Sequence, residues 1–289
     1  MLVHLDMVAR RSSSNPRFLH RLLPKHALTH LAGKLADSRH PAVKDRLIAY
    51  FMARFQIDLE EALETNPKAY ATFNDFFIRQ LKASARPIAD KPIVSPVDGV
   101  LSETHEIHEG RLIQAKQRFY TVQDLLMSDA SKANYFEGGR FMTFYLAPHN
   151  YHRVHMPLEG HLTHMHYLPG RLFSVQPVTV RGVPNLFARN ERLVLFFDTD
   201  IGQVAMVLVG ATIVGAIGTS WTGDLKRTKD IQQFDYHAHP HHFLKAQDLA
   251  YFKLGSTVVL LVPANAKLRW QLPQGFAPKV QMGQALADF

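Results

Sequence analysis

Short apolar runs follow one another from Arg86 to the end of the chain, and glycine or proline punctuates them. They read "RFMTFYLA", "HLTHMHYL", "RLVLFFDT", "QVAMVLVGATIVGAI" and "STVVLLVPA". Their brevity and their β-branched and aromatic residues suit strands, not helices. Pro87, Pro92 and Pro96 mark the end of a different, helical texture. The expected fold is therefore α+β: N-terminal amphipathic helices over residues 1–85, then a mainly antiparallel β domain over residues 86–289. Inside the β domain a single helix is expected at "TVQDLLMSD", with Thr121 and Asp124 as a capping pair.

The helical region has three candidate segments. "RFLHRLLPKHALTHLAGKLAD" spaces Phe18, Leu22, Leu28, Leu31 and Leu35 near helical period and is broken by Pro24. "HPAVKDRLIAYFMARFQID" puts Val43, Leu47, Ile48, Phe51 and Phe55 on one face. "NPKAYATFNDFFIRQL" predicts a third helix, capped by Asn66 with Pro67 at its first position. Basic residues crowd these segments, among them Arg10, Arg11, Arg17, Arg21, Lys25, Lys34, Arg39, Lys44, Arg46 and Arg54. A basic amphipathic surface of this kind can lie in a membrane interface; the plainer alternative is a solvated basic face.

Composition narrows the function. The net charge of +8 suggests an anionic partner, either nucleic acid or a membrane surface. Without cysteine, disulfides, thiolate metal sites and a thiol nucleophile are excluded. "MLVHLDMVARR" lacks the apolar core and small-residue cleavage site of a secretory signal. The longest apolar stretch, Val204 to Gly218, is shorter than the roughly 18 residues of a spanning helix, and its β-branched residues favour buried strands.

Several stretches could carry chemistry. Asp98-Gly99 in "SPVDGVL" is a common turn dipeptide. "APHNYHRVHMP" packs His149, His152 and His155 between two prolines. Residues three apart face opposite sides of a strand, so a shared site for His152 and His155 requires a turn there. "HAHPHHF" and "HLTHMHY" also look metal-like, since His237, His239 and His241 alternate as on a strand face, and so do His164 and His166. With 17 histidines in the chain such clusters arise by chance, and no metal is expected at any of them.

"YFKLGSTVVLL" is the most unusual stretch, because it reads as one strand weakened by Gly255, immediately before Ser256. Asp98, His155 and Ser256 together supply a carboxylate, a base and a hydroxyl. No nucleophile elbow surrounds Ser256, because Thr257 and Val258 follow it. The nearest electrophile to its hydroxyl is the carbonyl of Gly255. Attack there moves the acyl group from nitrogen to oxygen. Elimination from the ester would leave dehydroalanine, which hydrolyses to a pyruvoyl group and ammonia. Glycine suits the position, since it tolerates a strained backbone.

Six motifs in order, "PVDG", "YHRVHMP", "PGRLFSV", "RNER", "VGATIVG" and "FKLGST", resemble bacterial phosphatidylserine decarboxylases of the prokaryotic type I kind. The likeness runs from about Phe73 onward. Two elements depart from it: "QAKQRFYTV" stands where the family often has "KGxxYS", and "KAQDLAYFKLGST" lacks the usual "KGxExG" lead-in. The resemblance implies a pyruvoyl-dependent enzyme that makes phosphatidylethanolamine and carbon dioxide from phosphatidylserine. It implies self-cleavage between Gly255 and Ser256, giving a β chain of residues 1–255 and an α chain of residues 256–289. Ser256 would become the pyruvoyl cofactor that forms a Schiff base with the substrate. Asp98 and His155 match the family's charge-relay partners of Ser256 in cleavage, and His152 matches the histidine tied to decarboxylation. The implied partners are phosphatidylserine and an anionic membrane, with no nucleic acid. The implied location is the cytoplasmic face of the cell membrane, held peripherally, and a homodimer is left open. Rival readings are a Ser-His-Asp hydrolase acting on an external ester, a basic binding module without catalysis, and a pyruvoyl enzyme for another amino acid.

Overall fold

A computed structural model describes residues 33–115, 118–211, 216–253, 255–265 and 267–289. The first expected helix up to Ala32 and the basic residues before Lys34 lie outside the described residues. So do Lys116 and most of "ATIVG" in the fifth motif. The last turn of that first helix, residues 33–36, is helical, with the Asp37 N–H donating to the Gly33 carbonyl.

Helix α1, Pro41–Phe55, starts with proline at its first turn after an extended His40. It stops where Gln56 turns left-handed and its N–H returns to the Met52 carbonyl. Ile48 is buried on its inner face. Phe51 packs edge-on against Phe73, with ring centroids 5.1 Å apart. Lys44 does not belong to a basic surface: it is buried and donates to Asp45 and to the Lys68 carbonyl.

The third expected helix is shorter than its pattern predicts. Asn66 accepts from the Lys68 N–H at 3.1 Å, so it closes a turn instead of capping a helix. The helix α2 begins only at Phe73 and ends at Phe77, with Thr72 Oγ1 accepting from the Asp75 N–H. Phe73, Phe76 and Phe77 are all buried.

The expected strands form, and they are antiparallel. The chain order is β1 Gly99–Glu106, β2 Arg140–Leu146, β3 Arg153–His155, β4 Gly160–Leu168, β5 Arg192–Thr199 and β6 Gly202–Val209. There follow β7 Ile217–Thr219, β8 Gly223–Asp224, β9 Gln232–Asp235, β10 His241–Phe243, β11 Asp248–Phe252, β12 Ser256–Val262 and β13 Lys279–Val280. Helix α3, Val122–Leu126, sits where the capping pair predicts it, with Thr121 Oγ1 accepting from the Asp124 N–H. A nine-stranded sheet runs β9, β4, β5, β6, β12, β2, β1, β13, with β10 also on β4. A four-stranded sheet runs β8, β7, β11, β3.

The continuous apolar runs are explained by burial on both faces of the large sheet. Along β12, Val258, Leu260 and Val262 point into one core cluster, whereas Val259 and Leu261 point into the other. Strand β6 divides the same way, Met206 and Leu208 against Val207 and Val209. The first cluster also takes in Val154, Leu249 and Phe252 from the four-stranded sheet. The second is closed by Leu112, Tyr120 and Leu125 on the opposite side. Each such side chain contributes roughly 1.5–3 kcal/mol by leaving water. Leu260→Ala is expected to destabilise the chain by about 2–5 kcal/mol. The exposed Leu63→Ala should change stability by less than about 0.5 kcal/mol, and thermal melting of both variants checks the contrast.

Candidate active site

The stretch "YFKLGSTVVLL" is not one strand with a bulge. Strand β11 ends at Phe252 in the four-stranded sheet, and β12 begins at Ser256 in the nine-stranded sheet. The chain changes sheets between them. Gly255 has φ +56°, in the left-handed region where a side chain is strained. Nothing lies within 4 Å of where a Cβ would stand, so conformation and not crowding favours glycine there. The same absence leaves open space beside the Gly255–Ser256 bond.

Ser256 is fully buried and pairs in register with Leu146 of β2. Its hydroxyl faces His152 Nδ1 at 3.5 Å. His152 is also fully buried, one residue before β3, and its ring stacks on Phe77 at a centroid distance of 4.1 Å. The backbone fixes it further, since its carbonyl accepts from the Phe252 N–H. Nε2 of His152 lies 3.0 Å from the Ala147 carbonyl, which can only accept. The proton must therefore sit on Nε2, and the Nδ1 lone pair points at the Ser256 hydroxyl. Burial is the main reason that the His152 pKa falls to about 3, and the Arg79 charge adds to it.

His155 closes β3 and is joined to the loop before β1, because its N–H donates to the Pro96 carbonyl. Its Nδ1 donates to the Ala246 carbonyl at 2.7 Å. Nε2 is then left to accept from the Tyr151 hydroxyl at 2.9 Å. Burial lowers the His155 pKa, and Asp248 and Asp98 oppose that shift.

Asp98 does not sit in a hairpin turn. It precedes β1, is buried, and receives Arg86 through Nε at 3.0 Å and Nη2 at 2.6 Å. The Met282 N–H donates to its Oδ1. Gly99 is required by a close approach, since a Cβ there would lie 2.5 Å from the Tyr145 carbonyl oxygen. Arg86 also binds Glu61. Burial alone would lower the Arg86 pKa, but the Asp98 and Glu61 contacts raise it above its usual value.

The structure thus gathers all four expected residues around one sheet crossing but does not link Asp98, His155 and Ser256 by hydrogen bonds. Asp98 is taken by Arg86 and Met282, His155 by Tyr151 and Ala246, and Ser256 meets His152. The physical reason lies in partner geometry: a guanidinium matches a carboxylate with two donors, more than an imidazole offers. Sequence reasoning missed Arg86, Tyr151, Phe77 and Arg79. Tyr151 sits inside the "YHRVH" motif, and Phe77 and Arg79 in "FNDFFIRQL", but only the fold brings them to the histidines.

The other histidine clusters lie elsewhere. His237 and His239 occupy a turn between β9 and β10, so the expected strand alternation is not formed. Among the described residues one group has cation-binding spacing, His164, Asp235 and His237, on the β4–β9 edge. The Lys132 ammonium acts on His164 there, which works against a cation.

A family model described as "Phosphatidylserine decarboxylase" matches residues 73–288, and a second, described as "PSD", matches residues 17–56. The phosphatidylserine decarboxylase proenzyme of Legionella pneumophila is 51% identical over 271 residues, which cover 92% of this chain and 95% of that protein. The proenzyme of Bordetella pertussis is 48% identical over 273 residues, covering 92% of this chain and 91% of its own. That of Chromobacterium violaceum is 47% identical over 270 residues, covering 92% and 96%.

His152 is expected to stay neutral across the physiological range. Its contribution to stability is complete above the unfolded value of about 6.5 and is lost as pH falls toward about 3. In the Ser256→Ala chain, its ring proton resonance should not titrate between about pH 5 and pH 8. A midpoint near 6.5 would contradict the buried, neutral ring.

Proposed function

The chain belongs to the phosphatidylserine decarboxylase family, and on that premise we propose that it cuts its own backbone between Gly255 and Ser256 before it acts on phosphatidylserine. It is a phosphatidylserine decarboxylase, made as a proenzyme. The observation that carries the cleavage reading is the buried Ser256 hydroxyl, set directly after a left-handed glycine and facing the Nδ1 lone pair of His152.

In cleavage the Ser256 hydroxyl adds to the Gly255 carbonyl, and the peptide nitrogen leaves with a proton. Asp98 and His155 are proposed as the partners of this step, in line with the resemblance. Support comes from the charge of Asp98, which reaches both His155 and the Tyr151 hydroxyl that His155 holds. Elimination and hydrolysis then release ammonia and leave a pyruvoyl group at position 256. The site fits such a group: Ser256 is enclosed by protein, and open space adjoins the Gly255 side. Bound there, a pyruvoyl carbonyl supplies an electron sink for the pair left when carbon dioxide departs.

His152 is proposed for that later stage. A neutral imidazole with a free Nδ1 can accept the proton that the substrate ammonium gives up and return it to the reacting carbon, and its place on Phe77 keeps it pointed at position 256. Phe77 comes from the helical region, so residues 1–85 are proposed both to complete the site and to meet an anionic membrane surface. Among the described residues no helix is long and apolar enough to cross a membrane; peripheral attachment at the cytoplasmic face is proposed from the family resemblance and the basic N-terminal sequence.

The test is carbon dioxide release from phosphatidylserine vesicles by variants whose chain length is checked on gels. Ser256→Ala should stay uncleaved and release none. His155→Ala should also stay uncleaved. His152→Ala should cleave and lose at least about 100-fold in rate, the scale of general acid–base catalysis. If His152→Ala stays whole while His155→Ala cleaves, the two assignments are exchanged. If Ser256→Ala is fully active, the proposal fails.

A further inference from the structure

Arg79 lies two residues beyond helix α2 and is only 8% exposed. Its guanidinium rests over the Phe76 ring at 5.3 Å and donates one long bond, 3.5 Å, to the Phe76 carbonyl. Two other arginines around this site, the buried Arg86 and the half-buried Arg153, are neutralised. Arg86 binds Asp98 and Glu61, and Arg153 binds Asp248. Among the described residues no carboxylate makes an ion pair with Arg79; Asp98 and Asp58 act on it only from a distance. A guanidinium taken out of water without a partner is costly, and burial does lower its pKa. Arg79 lines a cleft of about 350 Å³ shared with Tyr70, Ile78, Gln80, Arg153 and two carboxylates, Glu64 and Asp75, which accept from the Asn66 N–H and the Thr72 hydroxyl. Two cleft residues, Ile78 and Arg153, directly follow Phe77 and His152, whose rings stack, so the cleft lies next to the His152 side of the site.

We propose that Arg79 anchors the phosphodiester of the phospholipid headgroup, and that it does not hold the headgroup carboxylate. This rests on the decarboxylase reading of the site. The substrate brings two anions, and they differ in fate. The carboxylate loses its charge as carbon dioxide leaves, so a buried cation on it would stabilise the ground state more than the transition state and slow the reaction. The phosphodiester keeps its charge throughout, so binding it is uniform and costs no rate. A guanidinium fork also matches two phosphate oxygens. In the headgroup one methylene and the ester oxygen separate the reacting carbon from phosphorus. A phosphodiester on Arg79 therefore brings the amine and carboxylate toward His152 and position 256. Arg79 thereby selects a phospholipid over free serine and sets the depth of the headgroup, while the amine and carboxylate distinguish one headgroup from another.

The experiment compares cleaved wild type with Arg79→Gln and Arg79→Lys on a short-chain phosphatidylserine in detergent micelles. Two competitive inhibitors separate the anions: glycerophosphoethanolamine has the phosphodiester without the carboxylate, and O-hexyl-L-serine has the carboxylate without the phosphodiester. Loss of a charge-assisted contact should weaken inhibition by glycerophosphoethanolamine about 10-fold to 100-fold in Arg79→Gln and raise KM similarly, with a smaller effect in Arg79→Lys. Inhibition by O-hexyl-L-serine should change less than about threefold, within the scatter of an indirect effect. Equal weakening of both inhibitors, or selective weakening of O-hexyl-L-serine, would overturn the proposal. If Arg79→Gln does not mature, wild type decides: failure of glycerophosphoethanolamine to compete overturns it. Wild type that releases no carbon dioxide at all would instead overturn the decarboxylase reading beneath it.

Discussion

Strand β12 is the constraint on which the rest depends. It is hydrogen-bonded on both sides, to β2 from Ser256 to Val262 and to β6 from Thr257 to Leu261. All seven of its residues are buried. A cut in front of Ser256 therefore frees a chain end but not the strand. The ladder and the two core clusters keep the new terminus where the hydroxyl stood. If the proposed cleavage occurs, this ladder would let the chain break its backbone inside its core and keep its fold, with position 256 held as a fixed reactive group.

The surrounding polar groups follow from that placement. Burial forces each to find a partner, and the partners divide the labour. The Ala147 carbonyl sets the His152 tautomer, the Ala246 carbonyl sets that of His155, and Arg86 with the Met282 N–H holds Asp98. The helical region belongs to the same arrangement, because Phe77 stacks on His152 and the Ile78 carbonyl accepts from Arg153. Under the proposed function, these few contacts would couple substrate binding by the helical region to the chemistry in the sheet.

Much of this was legible in the chain itself. The strands stood out because residues buried on both faces make continuous apolar runs such as "STVVLLV". The Thr121 cap was readable because it is local. The third helix was misjudged because Asn66-Pro67 suits a turn as well as a cap, and the hydrogen bond to Lys68 decided between them. The sheet change at Gly255 was hidden, since a strand that bulges and two strands that diverge read alike in sequence. Arg86 and Tyr151 were missed for a different reason. They come from other stretches or ordinary motif positions, and only tertiary packing brings one to Asp98 and the other to His155. The motifs pointed to the candidate reacting groups; their hydrogen-bond partners depended on the fold.

The central claim is that the bond before Ser256 is broken by the protein's own chemistry while β12 stays in place. Intact mass of the purified protein under denaturing conditions tests it most directly. The account predicts two chains, the smaller spanning residues 256–289 and lighter by one ammonia than simple hydrolysis would leave it, both eluting together from a native sizing column. A single full-length chain in a preparation that releases carbon dioxide from phosphatidylserine would contradict it.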